Sequence, residues 1–168
     1  MSDLYTELLV KKESTAKDAL IRYGLYAGTG LMVIAGLLIS PILLLAAIAL
    51  GVACYFVVPK TDLEYEYLFV NGEIDIDMIM AKTKRKRAFS FDLAEAELAA
   101  PLNSHRLDYY NNSQNIKTLD FSSGNPEHRR FAVITRNKEA LCKVIIEPDE
   151  NLAGLMKKSA PGKVFLDA

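Results

Sequence analysis

Charge is missing from 37 consecutive residues, Tyr23 to Pro59, in a chain of 168. That excludes a solvated surface there, since roughly 20 apolar residues already cross the ~30 Å hydrocarbon core of a bilayer. The run also lacks histidine. Intramembrane ionisable residues mark ion and proton routes, so their absence argues against transport. Cysteine is scarce: Cys54 falls inside the apolar run and Cys142 inside an expected strand. Two thiols in such different settings do not suggest a disulfide, which fits a reducing compartment. The two histidines, His105 and His128, have no H-x-x-x-H, C-x-x-C or H-E-x-x-H context, so no metal centre or catalytic triad is expected. Asn71-Gly72 and Ser123-Gly124 read as turns, and no G-x-x-x-x-G-K phosphate loop is present. No cofactor is expected. A non-enzymatic role is the first expectation, with a membrane-associated enzyme the minor alternative.

What is present begins with a division of the apolar run at Ser40-Pro41. The spans are about Tyr23–Ser40 and Pro41–Val58, some 18 residues each, or ~27 Å at 1.5 Å per residue. Proline is tolerated in a first helical turn, so the pair works as a stop and a restart. A signal peptide does not fit, because its apolar region is about 7–15 residues. Lipid attachment at Cys54 would leave two spans' worth of apolar chain before the cysteine. Lys11, Lys12, Lys17 and Arg22 precede the run, and Lys60 and the cations at 82–87 follow it. Positive charge marks the cytoplasmic side. The expectation is therefore a cell-membrane protein with two spans and both termini in the cytoplasm. Small residues let membrane helices approach: Gly24 and Gly28 in the first span, Ala47 and Gly51 in the second. They could face each other within the hairpin, or serve a homo-oligomer.

Three regions follow: a cytoplasmic tail and helix start (1–22), the hairpin (23–59, turn near 40–41) and a cytoplasmic β domain (60–168). In the tail, Leu4, Tyr5, Leu8 and Leu9 share a helical face, which suggests a short interfacial helix or a frayed end. Thr15 and Asp18 give a capping-box start for the first span. In the β domain, Leu63, Tyr65, Tyr67 and Phe69 alternate, Asn71-Gly72 follows, and Ile74, Ile76 and Met78 alternate again. That is a hairpin with the strongest short-range turn signal. Further strands are expected over 85–91, 93–99, 116–121, 130–135 and 140–147, with a turn at Arg136–Glu139. A helix is expected from about 149 to 158, with Pro148 and two acids at its start and Lys157-Lys158 at its end. The fold class is α+β: a transmembrane helical hairpin, then a mostly antiparallel domain of about seven strands and a C-terminal helix.

That element order resembles the bacterial pleckstrin-homology-like domains, in which seven antiparallel strands form a bent sheet or barrel closed by a C-terminal helix. The segments from Glu64 to Asp77, Ala81 to Arg87 and Lys117 to Gly124 are also similar to a small bacterial family of membrane proteins of unknown function. The resemblance implies an inner-membrane anchor carrying an interaction domain. Such domains bind peptides, proteins or lipid headgroups, so a protein or peptide partner is the first expectation.

The densest functional candidate is Lys82, Lys84, Arg85, Lys86 and Arg87, five cations in six residues. One reading is docking on anionic lipid or an acidic partner. The other is a solvated strand edge protected by charge. Residues 60–168 hold 16 Lys/Arg against 17 Asp/Glu, too balanced to suggest nucleic acid. Asp75 and Asp77 share a strand face and need no special role.

Overall fold

The computed structural model describes residues 4–113, 116–137 and 140–167. The chain forms two compact units. One is a helical hairpin with the turn that joins two strands, covering Glu13–Leu63 and Met80–Lys84. The other is a β domain drawn from residues on both sides of that hairpin.

In the hairpin, α1 spans Ala16–Leu38 and α2 spans Leu43–Val57, followed by a 3₁₀ turn at Val58–Thr61. The expected capping box starts α1. Asp18 N–H donates to Thr15 Oγ1, and Asp18 Oδ2 accepts from Thr15 N–H at 3.0 Å. Helix α1 stops where Ser40-Pro41 turns the chain. Both helices are long and apolar enough to cross a membrane, and only 6% of each apolar window is buried. A core helix of a water-soluble domain would be mostly covered; these helices show apolar side chains all round.

The β domain has two four-stranded sheets. The first, ordered β1-β2-β3-β4, contains Tyr5–Lys11, Leu63–Val70, Glu73–Met80 and Lys84–Asp92. The second, ordered β5-β7-β8-β6, contains Leu98–Pro101, Phe131–Asn137, Ala140–Ile146 and Lys117–Asp120. Tyr67, Phe69, Ile74 and Ile76 of the first sheet meet Val133, Val144 and Ile146 of the second, all fully buried. Helix α4, Glu150–Ser159, adds Leu152 and Met156 to that core. Its N-cap, Asp149, accepts from Leu152 N–H at 2.7 Å. A smaller apolar cluster of Leu98, Ala100, Leu107, Ala132 and Ile134 also forms, with Tyr110 packed on it. The connection between β5 and β6 includes a 3₁₀ turn at His105–Leu107 and a single helical turn, α3, at Asp108–Asn111.

Two expectations need correction. Residues 5–11 form a strand rather than an interfacial helix or a frayed end, and pair antiparallel with β2 from Tyr5↔Val70 to Lys11↔Glu64. Among the described residues the domain therefore has eight strands, and its first precedes the hairpin. The strand expected at 93–99 begins at Leu98 because Asp92 Oδ1 accepts from Ala94 N–H at 2.8 Å, and Asp92 C=O accepts from Ala96 N–H at 3.1 Å. These bonds close residues 92–96 into a turn. Strand β6 is parallel to β8, from Lys117↔Cys142 to Asp120↔Ile145, whereas β1–β2, β5–β7 and β7–β8 pair antiparallel. The expected turn at Arg136–Glu139 falls partly outside the described residues. The Asn71-Gly72 hairpin forms with φ 51° and 108°, both in the left-handed region that such turns require.

Candidate functional site

The basic run divides into two parts. It begins at a turn in which Ala81 and Lys82 have φ of 47° and 55°, and continues into β4. Arg85 and Arg87 face three carboxylates on neighbouring strands. Arg85 Nε donates to Asp77 Oδ2 at 2.7 Å and its guanidinium pairs with Glu66. Arg87 Nη1 meets Asp75 Oδ2 at 2.8 Å, and its Nε donates to Asp77 Oδ1 at 3.1 Å. The hydrogen bond to Asp77 raises the Arg87 pKa further above its ordinary value. These two arginines thus belong to an ion-pair ladder with Glu66, Asp75 and Asp77. Lys82, Lys84 and Lys86 are exposed. The Lys84 ammonium sits 4.6 Å from the centre of the Tyr55 ring, within cation–π range.

The small residues of the hairpin also separate. A Cβ added at Gly24 or Gly51 would meet nothing within 4 Å, and one at Gly28 would touch only Leu50 at 3.9 Å. Ala47 is buried. The closest approach is at Gly36, where a Cβ would lie 2.5 Å from Leu44 Cδ2 and 3.1 Å from Leu44 N. Gly36 lies next to the short turn, where the helices are held closest by connectivity. The G-x-x-x-G spacing gives no weight to that. Lower in the pair, Thr29 Oγ1 donates to Leu25 C=O and lies 3.5 Å from Cys54 Sγ.

A third feature carries no motif. Strand β1 is an edge strand, paired only with β2 among the described residues. Thr6, Leu8 and Val10 turn inward, and Tyr5 and Leu9 are more than half exposed. Beside it lies an open groove of about 630 Å³. Leu8, Leu9, Val10 and Pro148 give it an apolar lining, Lys11, Arg129, Glu127, Glu147 and Asp149 supply charge of both signs, and His128 lines it as well. The loop that forms one wall is fixed by Glu147. Its Oε2 accepts from Ser123 Oγ at 2.6 Å and from Ser123 N–H at 3.0 Å, and its Oε1 lies 2.7 Å from His128 Nδ1. Tyr67 anchors the same loop from the core: its hydroxyl donates to Phe121 C=O at 2.6 Å and accepts from Glu147 N–H at 3.3 Å. Burial raises the Tyr67 pKa well above the usual phenol value.

Ser123, His128 and Glu147 include the residue types of a hydrolytic triad but not its geometry. Nucleophilic activation needs the hydroxyl to donate to the imidazole while the acid holds the other ring nitrogen. Here the serine hydroxyl donates to the carboxylate, and the same imidazole nitrogen, Nδ1, faces both groups. The arrangement holds a loop in place. Among the described residues, no group of three or more His, Cys, Asp or Glu side chains is placed to hold a metal ion.

Comparison with known proteins agrees with this architecture. No curated protein and no solved structure matches the chain significantly. A family model described as a bacterial PH-like domain (DUF6106) matches residues 2–166. That match starts before the hairpin, as β1 does, and ends after α4. The chain belongs to the bacterial PH-like domain family.

Proposed function

We propose that the chain is a non-enzymatic, membrane-anchored interaction module whose β domain binds an extended peptide of a protein partner beside β1. The hairpin supplies the anchor. Its helices leave their apolar surface uncovered, and lipid is the environment that makes such a surface stable. The flanking cations support a topology with both termini in the cytoplasm.

The observation that carries the binding reading is the combination of an edge strand, touched from α4 by Asn151 Nδ2 donating to Thr6 Oγ1 at 3.2 Å, with the groove next to it. An edge strand offers backbone donors and acceptors that a further strand can use. Seven residues of β1 extend about 24 Å, enough to register a peptide of similar length. The apolar groove lining with charge of both signs suits alternate side chains of such a peptide. Exposed Tyr5 and Leu9 on an edge strand are the reverse of what a protected edge carries.

The test is capture from crosslinked membranes. The full chain should retain a partner, and Leu9→Lys, a change on the exposed face of β1, should reduce its recovery at least fivefold. Recovery unchanged by Leu9→Lys overturns the docking position.

A further inference from the structure

The lysines that remain outside the ion-pair ladder fall in different compact units, Lys82 and Lys84 with the hairpin and Lys86 with the β domain. The turn Met80–Lys84 belongs to the same compact unit as the hairpin. Ala81 N–H donates to Asp62 C=O at 2.8 Å, and the Lys84 ammonium lies on the Tyr55 ring. Mid-helix Gly28 lies near Leu50 and Thr29 lies against Cys54, and α1 also contacts the 3₁₀ turn that follows α2, so the helices run antiparallel with the start of α1 beside the end of α2. Lys17, Arg22, Lys60, Lys82 and Lys84 are therefore gathered at one end of the hairpin. The unit holds five cations against three carboxylates, Glu13, Asp18 and Asp62, and Asp18 already caps α1. Exposed Tyr23, Tyr26, Tyr55 and Phe56 lie at the same end, whereas the opposite turn, from Ile39 to Ile42, has neither charge nor aromatic ring. Tyrosine rings favour the headgroup level of a bilayer. Lys84 stacks on one of them, Tyr55.

We infer that this end of the hairpin is a binding surface for the headgroups of anionic phospholipids, with Lys60, Lys82 and Lys84 as its principal contacts. Arg85 and Arg87 are excluded from it because Glu66, Asp75 and Asp77 hold them. The surface shares no residue with the β1 groove, and rests on the anchor reading alone. Several ammonium groups at headgroup depth attract the leaflet's phosphates, each gaining roughly fivefold in local association.

The experiment uses the full chain reconstituted in bilayers with spin-labelled phosphatidylglycerol or phosphatidylcholine. The motionally restricted fraction should favour phosphatidylglycerol by about threefold or more. The triple variant Lys60→Gln, Lys82→Gln, Lys84→Gln should bring the ratio close to one while the chain still sediments with the vesicles. Lys86→Gln, in the same run but outside the hairpin unit, should leave the ratio unchanged. Equal association of both lipids in the wild type overturns the inference, as does an unaltered preference in the triple variant. A chain that fails to enter the bilayer overturns the anchor reading instead.

Discussion

If β1 is an integral strand of the β domain, its side chains should matter with a period of two. Val10 is 7% exposed and joins the main core, whereas its neighbour Leu9 is 54% exposed. Val10→Ala removes two buried methyl groups at ~0.8 kcal/mol each, and the unfilled space adds to that. The expected loss is about 2 kcal/mol. Leu9→Ala should cost less than about 0.5 kcal/mol, as exposed positions do. The assay is urea unfolding of the full chain in mild detergent, followed by tyrosine fluorescence. With a slope of ~1.5 kcal/mol/M, Val10→Ala should lower the midpoint by more than 1 M and Leu9→Ala by a third of that or less. A frayed tail predicts no effect at either position. A helix on the inner leaflet predicts comparable, small effects at both. Either of those results refutes the strand assignment. A related consequence concerns fragments. Residues 62–168 alone leave Tyr65, Tyr67 and Phe69 without their β1 neighbour, and should bind hydrophobic dyes. Because Lys11 pairs with Glu64, joining residues 1–12 to 63–168 by about four flexible residues should restore a folded domain.

Three further outcomes are expected. Tyr67→Phe leaves Phe121 C=O and Glu147 N–H without their buried partner, at ~1–3 kcal/mol each; a loss of about 2–6 kcal/mol in denaturant unfolding is expected, and a loss below 0.5 kcal/mol contradicts the network. The same tyrosine contributes to alkaline behaviour, beside Tyr65 and Tyr110, whose pKa values burial also raises. Its folded pKa is raised, so its contribution is full below the unfolded value near 10 and is lost as pH rises beyond it; absorbance at 295 nm should show one phenol ionising only as the domain unfolds, and that delayed phase should vanish in Tyr67→Phe. Gly36→Ala forces a methyl against Leu44, an overpacking of ~1–3 kcal/mol; with Thr29→Cys as reporter, disulfide formation to the natural Cys54 should slow several-fold, and an unchanged rate argues against the close approach.

Local features were readable from residue order, and non-local ones were not. Asn71-Gly72 names its own turn because only a left-handed pair closes a two-residue hairpin. Thr15 and Asp18 name their cap for a similar reason, and α4 carries its signals within one helix. Strand β1 was hidden because its partner lies more than fifty residues away, across the hairpin. Leu4, Tyr5, Leu8 and Leu9 match a helical spacing, and the competing alternation of Thr6, Leu8 and Val10 was the available signal. The parallel pairing of β6 with β8 has no local signature. In the basic run, alternation with Asp75 and Asp77 on the adjacent strand hinted at pairing, but the inclusion of Glu66 needed the sheet order. The groove was illegible, because it is formed by an edge strand, a loop and a helix start distant in sequence.

The most direct test of edge docking is a photo-crosslinking scan in native membranes, with a photoreactive side chain placed in turn at Tyr5, Glu7 and Leu9 on the outer face of β1, at Arg129 on the groove wall, and at exposed Ser90 on β4. The account predicts one shared protein adduct at the β1 and groove positions, weak or missing at Ser90, and lost at Arg129 when Leu9→Lys is introduced. Adducts at Ser90 with none along β1 would contradict it.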